Sequence, residues 1–113
     1  PYAAHTANAN TGSIGVALCG MFQAQEVPFD PGPEPITPES WAVLIRVVAD
    51  LCRVYAIPVG PKTVLSHAEV QANLGIRQAN KWDIARLPWA PEINGAWPIG
   101  QALRVAVSDA LRA

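Results

Sequence analysis

With 113 residues, half of them apolar and 15% charged, the chain is long enough for one well-buried core and too short for two. A net charge of -1 gives no basic field to hold phosphate backbones, which excludes nucleic acid as a partner. The richest apolar stretch, Trp41 to Tyr55, is interrupted by Arg46, Asp50 and Arg53 at helical spacing, so no membrane span is expected.

The chain opens at Pro1, its only methionine is Met21, and no basic region precedes an apolar run as in a targeting segment. A single domain over residues 1–113, lacking its N-terminal portion, is therefore expected. Residues 1–12, with Asn8, Asn10, Thr11 and Gly12, read as a polar loop. Ser13 to Gly20 then predicts a strand apolar on both faces: Ile14, Val16 and Leu18 on one, Gly15, Ala17 and Cys19 on the other. From Pro28 to Pro38, five prolines can neither feed a sheet ladder nor propagate a helix, which predicts a surface loop.

Thr37, Pro38 and Glu39 together signal a helix start, with a hydroxyl cap, a proline at the first position and an acid in the first turn. The helix should run to about Tyr55. Trp41, Leu44, Val48, Leu51, Cys52 and Tyr55 form its apolar face, opposite Glu39, Arg46, Asp50 and Arg53, and that face is expected to lie on a sheet. After the turn-rich Ile57 to Pro61, Thr63 to Ser66 reads as a second buried strand, placing His67 at its carboxyl end, where open α/β sheets bind ligands. Residues 68–80 predict a helical turn or two, and Pro88, Pro91 and Gly95 an irregular stretch. A last helix opens at Pro98, with Leu103, Ala106, Val107, Ala110 and Leu111 inward and Gln101, Arg104, Ser108 and Arg112 outward. The fold class is α/β: a central mixed sheet flanked by helices, its first strands missing from this chain.

His67 is the strongest candidate for chemistry, because a neutral imidazole at a strand end is a good zinc donor; the bland reading is a hydrogen-bonded, half-buried histidine. Asp83 could add an anionic oxygen, and Lys81 a fixed charge facing an oxyanion, or the two could be an exposed lysine and a capping aspartate. Glu69 could orient the imidazole, join the ligands, or simply begin a helix. Cys19 and Cys52 could pair, although burial as free thiols fits the habit of cysteine better. Of the four tryptophans, Trp82, Trp89 and Trp97 fall in segments read as irregular near this candidate site, where aromatic walls line sugar and peptide clefts.

In combination these pieces are more specific. His5-Thr6-Ala7-Asn8-Ala9-Asn10-Thr11-Gly12-Ser13-Ile14-Gly15-Val16, followed by Gly20, resembles the histidine, asparagine-bearing loop and Ser-Ile-Gly signature of type 2 N-acetylmuramoyl-L-alanine amidases and peptidoglycan recognition proteins. Val64 to Val70 resembles that family's second zinc-histidine strand, and Lys81-Trp82-Asp83 its lysine, any residue, then third ligand. The likeness spans roughly residues 2–90. It implies a zinc ion held by His67 and Asp83, with the remaining protein ligand supplied upstream. It also implies Lys81 as the catalytic residue facing the oxyanion, peptidoglycan as the partner, and cleavage of the amide between N-acetylmuramic acid and L-alanine. His5, Asn8, Asn10, Glu69 and Trp82 would line the substrate groove.

Three departures accompany the likeness. The family's first zinc histidine, and a tyrosine that assists the water in many members, come from strands upstream of the matched segment. A glutamate used by some members is Ala17 here, and Gln71 to Asn80 forms a longer insertion than most carry. This chain alone is accordingly expected to be inactive or weak, and to expose apolar sheet surface that promotes self-association. The competing readings are a non-catalytic muropeptide-binding module and a structural component of a phage or cell-surface assembly.

Overall fold

The computed structural model describes residues 6, 12–17, 37–78, 87–90, 92–93 and 95–112. Helix α1 spans Pro38–Val54, a 3-10 turn spans His67–Glu69, α2 spans Val70–Leu74 and α3 spans Ala96–Arg112.

The start of α1 is built as its local signals require. Thr37 Oγ1 accepts from Ser40 N (3.1 Å), and Ser40 Oγ accepts from Thr37 N (3.0 Å), so two helix-end donors are satisfied reciprocally. Its other end is a Schellman closure: Ile57 N donates to Cys52 O (2.9 Å) around Ala56, whose φ is +54°. A side chain in that left-handed region costs about 1–2 kcal/mol, while glycine loses up to about 1 kcal/mol through greater freedom of the unfolded chain. Ala56→Gly is therefore expected to stabilise the protein by about 0.5–1 kcal/mol, read as a raised urea midpoint at unchanged slope. A lowered midpoint would show that the alanine is not strained.

α1 packs on α3. Leu44, Ala49 and Cys52 of α1 meet Leu103 and Val107 of α3, and Val64 closes the cluster from the intervening segment. A second cluster joins Leu87, Ala90 and Ile99, and Trp41 packs on both. Trp41 and Trp89 meet edge to face, their ring centroids 6.1 Å apart. Cys52 is a buried free thiol, and burial pushes its pKa up. Cys19 lies outside the described residues.

The central mixed sheet is overturned: among the described residues there is no strand, and the face of α1 expected on a sheet rests on another helix. The described part of the expected first strand, residues 13–17, is exposed, with Ile14 at 51% and Val16 at 43%. Alternation can make a segment fit for a strand, but a ladder needs a second segment alongside it, and among the described residues none pairs there.

Thr63 to Ser66 fails as a strand for a local reason. Thr63 N and Val64 N both donate to Gly60 O, and Thr63 Oγ1 donates to Pro58 O, so the Pro58–Pro61 turn chemistry overrides β-branching. Val64 O, which a ladder would have used, accepts from Arg104 Nη1 instead (3.0 Å). Three further expectations change: Tyr55 is 63% exposed rather than packed, Trp97 lies within α3, which begins at Ala96, and Arg104 is buried rather than outward.

Candidate functional site

The site is built around the turn that carries His67. Glu69 N donates to Ser66 O (3.1 Å) and Val70 N to His67 O, which folds Ser66 to Val70 into the 3-10 turn and leads it into α2. Gly75 ends α2 with φ +73° while its N–H donates to Gln71 O (3.0 Å), a left-handed closure suited to glycine. The chain then doubles back. Gln78 N donates to Gln71 Oε1 (3.1 Å), and His67 Nε2 donates to Gln78 Oε1 (2.9 Å). The imidazole is half-buried at the head of α2.

Beneath it lies a charge pair absent from the sequence reading. Glu69 is 1% exposed and Arg104 is 4% exposed. Their contact is bidentate, with Arg104 Nη1 donating to Glu69 Oε1 (2.9 Å) and Nη2 to Oε2 (2.8 Å). Oε1 also accepts from Ser66 N (3.2 Å), and Oε2 from Asn73 Nδ2 (3.2 Å). Arg104 Nε donates to Gln101 Oε1 (2.8 Å), and the guanidinium carbon stands 4.9 Å from the centroid of the Trp97 ring. The carboxylate is thus enclosed between the 3-10 turn, α2 and α3, directed at Arg104. Ser66 Oγ is buried with no partner among the described residues.

Of the residues assigned to the metal, catalytic and substrate-binding site from the sequence, His67 and Glu69 are described. His5, Asn8, Asn10, Lys81, Trp82 and Asp83 lie outside the described residues. Sequence reasoning missed Gln78 and Arg104. Gln78 carries no sequence signal, being reached only through the turn at Gly75. Arg104 did carry one, since Gly100, Arg104, Val107 and Leu111 succeed one another at steps of four, three and four, a helical stripe.

Among the described residues, no three His, Cys, Asp or Glu side chains converge to hold a metal ion. His67 does have the chemistry of a zinc donor. Metal-ligating histidines commonly engage their other ring nitrogen in a hydrogen bond, as His67 Nε2 does with Gln78 Oε1.

Residues 2–86 match the sequence model of N-acetylmuramoyl-L-alanine amidases, and the chain belongs to that family. No curated protein and no solved structure matches it. The matched region carries both His67 and Glu69 but ends before α3, so the arginine that neutralises Glu69 comes from outside the family match. Membership makes peptidoglycan the expected substrate class and an amidase-type reaction the expected chemistry. Among the described residues, no helix is long and apolar enough to cross a membrane.

Proposed function

We propose that the protein hydrolyses the amide between N-acetylmuramic acid and L-alanine of peptidoglycan in a zinc-dependent reaction. Membership of the amidase family carries this reading. The Nε2–H of His67, anchored on Gln78, agrees with it.

In this proposal His67 and Asp83 are protein ligands to zinc. Bound zinc would polarise the scissile carbonyl and lower the pKa of its water to about 7. Lys81 is assigned the charge that meets the carbonyl oxygen as it becomes anionic. His5, Asn8, Asn10 and Trp82 are assigned to the groove, as hydrogen-bonding and stacking contacts for glycan and peptide. Glu69 is given a different task from the groove contact expected of it: paired with Arg104, it holds the His67 turn in shape.

The test uses protein produced from the complete reading frame and purified cell wall. Stem peptides bearing a newly free L-alanine amino group are expected to appear, to stop when zinc is chelated, and to return on its readdition. Binding to the wall without release would replace hydrolysis by muropeptide recognition. Neither binding nor release would remove both.

A further inference from the structure

We propose that the outer face of α1 is a self-association surface, on which a second copy of this chain lays its own α1 antiparallel about a two-fold axis. The inference does not rest on the hydrolytic reading of the His67 turn.

α1 is apolar on two sides. Leu44, Ala49 and Cys52 are buried in the core cluster shared with α3, whereas Val43, Val47 and Val54 are between 40% and 73% exposed. At about 100° of helical rotation per residue, these three valines fall within an arc of about 40°, along a line about 16 Å long. Apolar residues scattered singly over a surface need no partner, but valines aligned on one helix face make a seam. Glu39, Arg46, Asp50 and Arg53, all exposed, border one flank of it.

The symmetry of the register selects a second copy as the occupant. A two-fold axis between antiparallel helices sets each flank beside the same flank of its mate. Val43 meets Val54 of the other copy when the axis crosses α1 between Val48 and Ala49. Arg46 meets Asp50 of the other copy when the axis passes Val48. These two requirements differ by half a residue, about 0.75 Å of rise, so one axis satisfies both and brings the two Val47 side chains beside it. Asp50 already holds Arg53 of its own helix (2.9 Å), and Arg46 has no ion-pair partner among the described residues. Across the axis each Asp50 carboxylate then lies between two guanidinium groups. One helix pair buries less than the large areas of permanent interfaces, so the dimer is reversible. α3 packs on α1 and on the His67 turn, while α1 does not touch that turn, which therefore stays outside the interface.

The test is sedimentation velocity on protein from the complete reading frame, from dilute to near-millimolar concentration. The urea midpoint of each variant is measured where the protein is monomeric. Wild type should pass reversibly from monomer to dimer. Val47→Asp should weaken the dimer about 10–100-fold, because it sets like charges beside the axis, and should leave the midpoint nearly unchanged, because the position is exposed. Arg46→Asp and Asp50→Arg should each weaken it about tenfold, since two-fold symmetry applies every change twice. The double variant, which again places opposite charges across the axis, should recover most of that loss.

A wild type that stays monomeric throughout would overturn the proposal, as would a dimer insensitive to Val47→Asp. A dimer weakened by both single charge reversals and not recovered in the double variant would overturn the two-fold register. Recovery in the double variant supports the proposal even where Val47→Asp lowers the urea midpoint.

Discussion

Replacing Arg104 with alanine is expected to destabilise the protein by about 3–5 kcal/mol, because a carboxylate buried to 1% exposure is left without its counter-charge. A domain of this size has a total stability of about 5–15 kcal/mol, so a large part of the fold's margin is at stake. Arg104→Lys should recover only a fraction: an ammonium cannot reproduce the fork that meets both Glu69 oxygens while also reaching Val64 O and Gln101. Removing both charges, as in Glu69→Leu with Arg104→Met, should cost far less than either single change, since what is expensive is the orphaned charge. Urea denaturation of the single and double variants gives the coupling directly. Additive losses would show that the pair does not act as a unit.

Gly100 belongs to the same prediction. A Cβ built there overlaps both Glu69 carboxylate oxygens and Cδ. Alanine within a helix gains about 1 kcal/mol over glycine in propensity, and overpacking alone typically costs about 1–3 kcal/mol. Because the clash also displaces a buried charged group, the loss should exceed the gain, and Gly100→Ala should be destabilising despite being a better helix former.

Particular residues show why some of this was legible in the sequence. Thr37, Pro38 and Glu39 placed the start of α1 correctly, and the apolar repeat carried it to Val54, because capping and helical periodicity act within a few residues. The short helical stretch after His67 was likewise within reach. The strands were not, since Ser13 to Ala17 and Thr63 to Ser66 have strand-like composition, yet strand pairing is decided by a distant partner and, at Thr63, by the preceding turn. The site divides the same way. His67 stands out in its own heptapeptide, whereas Gln78 is recruited by a turn and Arg104 lies 35 residues from the glutamate it neutralises. Arg104 shares the inward register of Val107 despite its charge, and Gly100, four residues before it, makes room for the Glu69 carboxylate.

Replacing His67 with alanine should have the reverse profile to Arg104: large in activity and small in stability. The ring is half-buried, and a hydrogen bond such as the one it makes with Gln78 is worth about 1 kcal/mol. If His67 is a zinc ligand, its loss removes electrophilic stabilisation of several kcal/mol. At about 1.4 kcal/mol per factor of ten, peptidoglycan hydrolysis should then fall on the order of a thousandfold, together with zinc content. Measured side by side on protein from the complete reading frame, the two substitutions separate the site from its support. Arg104→Ala should lower the unfolding midpoint sharply, with residual activity tracking the folded fraction. His67→Ala should leave the midpoint nearly in place and abolish release of L-alanine termini from the wall. Retained hydrolysis in a folded His67→Ala protein would falsify the assignment of His67 as a ligand. A shared loss of stability would instead make His67 part of the scaffold, along with Glu69.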